Sequence, residues 1–344
     1  MGSTTSHSTR LESLWSIILS GGDGERMRPY IERWKGRHIP KQYCAFVGTR
    51  SMLEHTWDRA DFLTAPHHKI TVLARSHESL VRSSLDSQAP GRFIFQPANR
   101  NTAAGIFLPL TYVRRLNPEA TVILYPSDHF IYPEQLFIRY VRAAVRATEH
   151  WTDRIILLGA TPTSLELDYG WIEQRRRLGW SSAVPLWSVA SFREKPVSCP
   201  ISAISDSGWV WNTMVVIAKL KTLWNRGWEC FPVLMERFSA LAEVLGTQRE
   251  RPILEAIYDD MPDKNFSADL LEHAEDHLAV MEMEHVLWGD WGRPERIEKM
   301  LTDIGKSPNF FTTSLAQAHL NGHARKDVTE DQQQAEEMTK LPLS

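Results

Sequence analysis

The stretch SIILSGGDGERMRP, Ser16 to Pro29, decides how the rest of the chain is read. An apolar run stops at a glycine cluster, and two arginines and a proline follow it. A short apolar run with β-branched residues, ended by glycine, predicts a buried strand over Leu14 to Ser20. Glycines after such a strand bare backbone N–H groups, and N–H groups at a strand–helix junction hold phosphate. Spacing excludes two common cradles. The dinucleotide pattern G-x-G-x-x-G fails because Met27 stands where the third glycine belongs, and no acidic partner for a ribose follows about 20 residues on. The Walker pattern needs Lys-Ser/Thr after its last glycine, and this loop has Glu25-Arg26. Arg26 lies beside the glycines, and the segment RHIPKQYCAFVG adds Lys41 after Pro40. Bare amides with an arginine and a lysine suit a nucleoside triphosphate. A plain turn is the alternative that the loop alone leaves open.

Outward from the loop, strands and helices alternate. KITVLAR (Lys69–Arg75), RFIFQP (Arg92–Pro97), TVILYP (Thr121–Pro126) and RIILLGATPT (Arg154–Thr163) predict strands. SMLEHTWDRADFL (Ser51–Leu63) predicts a helix whose Ser51 and Glu54 match a capping box. TAAGIFLPLTYVRRL (Thr102–Leu116) predicts a helix despite Pro109, and EQLFIRYVRAAVRATEHW an amphipathic one. This alternation predicts an α/β fold with a doubly wound, mostly parallel, Rossmann-like sheet. The second half changes character. YGWIEQRRRLG and LWSVASFREKP alternate like antiparallel strands, SGWVWNTMVVIAKLKTLWNRG reads as a strand running into a helix, and HLAVMEMEHVLWGDWG as a strand pair. RPERIEKMLTDIG predicts a closing helix. The expected division is a disordered leader at 1–12, one domain over 13–305 and a polar tail at 315–344. Within the domain, a nucleotide half covers about 13–160 and a second half about 161–305.

Composition narrows the function classes. The chain has 344 residues, 42% of them hydrophobic, enough for a core that needs no disulfide or metal. Net charge is -3 with both signs interspersed, which argues against a nucleic-acid partner. No apolar stretch is long enough to span a membrane, and the leader lacks an apolar signal core. Ser6 stands at the offset for myristoylation after Met-Gly, a short pattern that is discounted. Cys44, Cys199 and Cys230 are odd in number and widely spaced, so neither a disulfide framework nor a zinc site is expected. A reducing compartment, the cytoplasm, is the default. The 13 tryptophans are expected in the core or on a cleft wall, where a sugar site would also use aromatic faces.

Taken in order, the motifs resemble the sugar-1-phosphate nucleotidyltransferases, and among them the mannose-1-phosphate guanylyltransferase branch. That branch carries GGxGxR-xx-P and then PKQ; this chain has Gly21 to Pro29 and then Pro40-Lys41-Gln42. QPANRNTAAGI is similar to EP-xx-RNT-APA, YPSDHFI to PSDH, and ATPTSLELDYGWIE to PT-xx-ETGYGYIE. FREKP is similar to F-x-EKP, WVWNTMV to LWNSGMF, and FSADLLEHAEDHLAVMEMEHVLWGDWG to SIDYAIME through WSDVG. The likeness covers about Leu14 to Leu301 and leaves no stretch for an isomerase or β-helix acyltransferase domain. It implies a glycosyltransferase A-type fold with a smaller antiparallel, sugar-binding portion. It also implies attack by a sugar 1-phosphate on the α-phosphorus of a nucleoside triphosphate, GTP, with release of pyrophosphate.

The resemblance then assigns roles. Arg26 with the amides of Gly21, Gly22 and Gly24 takes the β- and γ-phosphates, and Lys41 takes the α-phosphate. Asp128 and Asp290 hold Mg²⁺, whose hard-oxygen preference suits carboxylates and phosphates. Read alone, Asp128 fits an Asx-turn or helix cap equally well, and Asp290 a turn between glycines. Glu194 accepts from sugar hydroxyls, Lys195 binds the sugar phosphate, Asn212 bonds a hydroxyl, and Gly170 presents its N–H. Gln96, Asn101, Thr102 and Ser127 fall near the base and ribose. His129 is expected to be structural, since Ser-Asp-His in a row cannot form a hydrolase triad. Three departures bear on the sugar and the loop. A longer basic stretch (Arg33, Lys35, Arg37, His38) precedes PKQ, WNSGM becomes Trp211-Asn212-Thr213-Met214 without its glycine, and ETGYG becomes Leu167-Asp168-Tyr169-Gly170. They leave mannose, another hexose or a cyclitol phosphate open as the sugar. Two other readings stand beside this one. One is a glycosyltransferase of related fold, which would have no γ-phosphate for Arg26 and Lys41. The other is a nucleotide-binding regulatory subunit without turnover. Relatives commonly associate, so a homodimer is a further expectation.

Overall fold

A computed structural model describes residues 13–84, 91–198 and 208–310. The leader with Ser6, the polar tail and Cys199 lie outside the described residues. Strand β1 (Leu14–Ser20) has Ile17 and Ile18 at zero exposure, in the hydrophobic clusters on opposite faces of one sheet. A strand covered on both faces reads as a continuous apolar run, which is why SIIL shows no alternation. β1 lies between β2 (Lys69–Ala74) and β4 (Thr121–Pro126), with β3 (Arg92–Gln96) beyond β2, and all four are parallel. Helices cover both sides. On one side, α2 (Met52–Asp61) and α5 (Glu134–Ala147) bury Leu53, Trp57, Phe137 and Val141. On the other, α4 (Asn101–Leu116) packs with α6 (Leu220–Cys230) and α7 (Pro232–Ala242). The predicted capping box on α2 is present, and α4 continues through Pro109. Pro109 has no N–H to give the carbonyl four residues back, but burial of the helix on both flanks of that proline outweighs the lost bond. Between β2 and β3 lies α3 (Glu78–Ser84).

The sheet continues through the second half in the order β3-β2-β1-β4-β9-β6-β10-β8-β7. Its members there are β6 (Ile155–Ala160), β7 (Trp171–Ser181), β8 (Val184–Arg193), β9 (Trp209–Lys219) and β10 (Leu278–Met283). β8 and β9 run against the remaining strands, so the sheet is mostly parallel with an antiparallel flank. Helix α8 (Glu250–Asp259) and the single turn α9 (Phe266–Asp269) follow α7, and α10 (Pro294–Asp303) closes the described chain. HLAVMEMEHVLWGDWG does hold two strands, but they do not pair with each other. β10 enters the large sheet between β6 and β8, whereas β11 (Leu287–Gly289) pairs with β5 (Phe130–Tyr132) in a separate ribbon. The reason is burial. β10 is apolar on both faces and needs a central slot, which a two-stranded hairpin cannot offer.

The basic insertion before PKQ begins as helix α1 (Arg28–Lys35). Its Ile31 joins Met27, Phe46, Trp291 and Leu301 in a third cluster. This cluster ties the glycine loop to α10. Trp171, Trp211, Trp288 and Trp291 are buried as expected of an aromatic core. Cys44 and Cys230 are free thiols. Among the described residues no helix is long and apolar enough to cross a membrane.

Candidate functional site

In open α/β sheets the ligand crevice lies past the carboxyl ends of the parallel strands. Here β1 ends at Ser20 before Gly21, β3 ends on Gln96, and β4 ends just before Ser127-Asp128. A cavity of about 680 Å³ opens at that edge. Gly21, Gly22, Gln96, Asn101, Thr102 and Asp128 face it from the first half, and Glu194, Lys195, Met214 and Ser267 from the second.

The glycine loop is held by the PKQ segment. Gln42 donates through Nε2 to the carbonyls of Ser20, at 3.1 Å, and Gly22, at 2.7 Å. Gly24 has a φ of 67°, and a Cβ there would come within 3.0 Å of the Lys41 nitrogen. Glycine is required on both counts. Gln96 packs on the loop from the other side. Its Oε1 is buried without a hydrogen-bond partner among the described residues. Asn101 and Thr102 start α4, and Thr102 Oγ1 accepts from the Phe266 N–H at 2.8 Å, joining the two halves.

Lys41 is buried, with Nζ 2.9 Å from Asp128 Oδ2, and it also donates to the Asp290 carbonyl. Burial alone would raise the Asp128 carboxyl, but Lys41 and then His129 outweigh it and hold it below its ordinary value. His129 lies with Nε2 3.6 Å from Asp128 Oδ1, and burial lowers its pKa. It also lines the cavity, so its place is at the site and not only in the framework. The Asp290 carboxylate accepts from Arg26 (2.7 Å), Arg296 (3.1 Å), the Tyr169 hydroxyl (3.1 Å) and the Gly292 N–H (3.0 Å). Burial works against its ionisation, yet Lys41 and Arg26 hold it well below the carboxylate range. Arg26, Lys41 and Asp290 do not themselves line the cavity. They are joined to its wall through Asp128.

Across the cavity, Glu194 and Lys195 follow β8. Lys195 takes a φ of 45°, with Nζ 3.5 Å from Glu194 Oε1. Burial raises the Glu194 carboxyl, and Lys195 only partly offsets it. Gly170 and Asn212 stand behind Glu194. A Cβ at Gly170 would come within 3.0 Å of Glu194 Oε2, and the Gly170 carbonyl accepts from the Asn212 N–H at 2.8 Å. Ser127 is buried and donates through its backbone to Leu19. Ser127, Gly170 and Asn212 therefore shape the wall without lining the cavity.

Two groups were not readable from the motifs. Gln42 sits in PKQ, yet its role as loop anchor depends on where Ser20 and Gly22 fold. Arg296, on α10, bonds Glu166, Tyr169 and Asp290 and lies 4.9 Å over the Tyr169 ring. It has no spacing signal, because every partner comes from another part of the chain. The carboxylates that could hold a metal are Asp128 and Asp290, which share Lys41. Among the described residues no group of three or more His, Cys, Asp or Glu converges. Two carboxylates with phosphate oxygens and water to complete the shell fit Mg²⁺. Asp128 would serve through Oδ1 while Oδ2 keeps Lys41, and Asp290 must first release Arg26.

Residues 15–307 match the family described as Nucleotidyl transferase. Xanthan biosynthesis protein XanB of Xanthomonas campestris pv. campestris is 31% identical over 200 residues, which are 57% of this chain and 40% of XanB. Mannose-1-phosphate guanylyltransferase of Salmonella montevideo is 29% identical over 202 residues, 57% of this chain and 41% of that protein. The chain thus spans about two fifths of the length of these relatives. A solved mannose-1-phosphate geranyltransferase from Thermus thermophilus superposes with a TM-score of 0.69 at 23% identity, over 83% of this chain and 78% of that one. The inositol-1-phosphate CTP transferase of T. maritima gives 0.52 at 12% identity, over 85% and 94%. These two structures speak to the fold. The family match runs from inside β1 to beyond α10 and takes in both walls of the cavity, so the chain belongs to the nucleotidyl transferase family.

Proposed function

We propose that the protein transfers a nucleotidyl group from a nucleoside triphosphate, GTP, to a sugar 1-phosphate, mannose 1-phosphate or a similar hexose or cyclitol phosphate. The observation that carries this reading is Lys41, a buried ammonium set between the glycine loop and Asp128, which lines a cavity whose other wall holds Lys195. Two anionic substrates must meet there, and each meets a cation. The names of the curated relatives support guanine and mannose.

In the reaction, an oxygen of the sugar phosphate forms a bond to the α-phosphorus while the bond from that phosphorus to the bridging oxygen breaks, and pyrophosphate leaves. The protein's part is alignment and charge. Lys41 donates to the α-phosphate as negative charge builds there. Arg26 leaves Asp290 for the β- and γ-phosphates, which frees one Asp290 oxygen. Glu194 accepts from a sugar hydroxyl, and Lys195 holds the sugar phosphate close to the nucleotide. Asp128 and Asp290 would hold Mg²⁺, which when bound would neutralise charge on the triphosphate.

Pyrophosphate release from five nucleotides, each with a set of sugar 1-phosphates, tests this. Turnover is expected with at least one pair, and Asp128→Ala should reduce it by about a hundredfold or more. Turnover no higher than that of Asp128→Ala for every pair would overturn the reading.

A further inference from the structure

Met214 lies inside β9 yet has a φ of 55°. The register explains the position. Asn212 pairs with Gly159 and Val216 with Leu157, so β9 carries extra residues against β6 and bulges at Thr213–Val215. A bulge residue in the left-handed region is ordinarily glycine, because any Cβ is strained there. Three bonds fix the conformation. Asn212 Oδ1 accepts from the Met214 N–H at 3.0 Å, Thr213 Oγ1 donates to Leu158 at 2.6 Å, and the Val215 N–H donates to Thr213 Oγ1 at 3.3 Å. The backbone is thus shaped for glycine and bears a methionine. The missing glycine of WNSGM is replaced in place, not deleted.

The side chain so forced out lines the main cavity beside Glu194 and Lys195. Its sulfur lies 3.0 Å from Ser267 Oγ, whose hydroxyl also bonds the Glu194 carboxylate. A thioether is only a weak acceptor. A sugar hydroxyl turned to the sulfur would gain little there, since Ser267 and Glu194 already hold each other, whereas a hydrogen or methyl group would pack well. Strain kept at such a point marks a functional choice.

We infer that Met214 sets acceptor specificity and selects a deoxy sugar 1-phosphate, one whose carbon facing the thioether bears hydrogen or methyl in place of hydroxyl. This rests on the nucleotidyl-transfer reading. The test compares wild type, Met214→Gly and Met214→Leu on mannose 1-phosphate, its 6-deoxy analogue and 2-deoxyglucose 1-phosphate. Both kcat/KM and the thermal shift given by each sugar phosphate are measured. Wild type should favour one deoxy compound over mannose 1-phosphate by about tenfold or more. Met214→Gly should lower that ratio about tenfold by gaining activity on the hydroxylated sugar, and Met214→Leu should keep the preference of wild type. Glycine suits the bulge, so the variant folds. An unchanged ratio in Met214→Gly, or no deoxy preference in wild type, overturns the inference. If no protein turns over any pair, the nucleotidyl-transfer reading fails, and the relative thermal shifts still decide the role of Met214.

Discussion

Arg26 divides its guanidinium between Asp290, at 2.7 Å, and Asp168, at 4.0 Å, while its side chain stays 52% exposed. Arg26 is half exposed but Asp290 is buried, so the pair is only partly screened and contributes about 1 kcal/mol. Asp290 also keeps Arg296, Tyr169 and Gly292 when Arg26 departs. Arg26 is therefore free to serve a phosphate. Arg26→Ala is expected to raise KM for the nucleotide and lower kcat by about a hundredfold, with stability lowered by only about 1 kcal/mol because Asp290 keeps its other partners. Steady-state kinetics with a denaturation curve check it, and unchanged kinetics would return the loop to a plain turn. The proximity of such residues was legible because they lie close together in the sequence. Arg26 abuts its glycines, and Lys41 follows Pro40. Arg296 was not legible, since its partners Glu166, Tyr169 and Asp290 become neighbours only through folding.

Strands and helices with their own local code were read correctly, and α2 is the clearest case. Ser51 and Glu54 exchange hydrogen bonds as their spacing predicts. The fate of β10 and β11 was not local. Which slot a strand takes depends on what its two faces must touch, and that is decided by the whole sheet. Gly159 shows the same dependence from within β6. A Cβ there would lie 2.3 Å from Val210 Cγ2 and 3.2 Å from Val280 Cγ2, so β6 admits no side chain between β9 and β10. Gly159→Ala should cost about 1–3 kcal/mol, read as a lower denaturant midpoint with an unchanged slope. Because Gly159 is in register with Asn212, the same change should disturb the bulge, and KM for the sugar phosphate should rise with it. A neutral midpoint would mean that β9 moves aside at no cost.

At the scale of the molecule, one charged centre ties the glycine loop to the ends of β4 and β11 through Arg26, Lys41, Asp128 and Asp290. That centre makes stability depend on acid. Asp290 ordinarily titrates near 3.8 and is held well below that in the fold. A depressed carboxyl contributes stability above its unfolded value and loses it as pH falls through the folded one. Wild type should thus exceed Asp290→Asn in Tm at pH 7, and the gap should narrow on acidification below about pH 4. A gap independent of pH would show that the contribution of Asp290 is not its charge. The alternation of strands with helices made the first half legible from sequence. The shape of the opposite cavity wall was not, since it hangs on one bulge and on the side chain that fills it. The small ribbon of β5 and β11 separates these two matters. Phe130 pairs with Gly289 and Tyr132 with Leu287, so Asp128 and Asp290 flank one short ladder that is independent of the large sheet. The ladder acts as a ruler for the two carboxylates, and on the proposed reading β9 carries the mould for the acceptor. Chemistry and substrate choice can therefore drift apart in descent, with new acceptors gained by recasting the mould while the ruler keeps its marks.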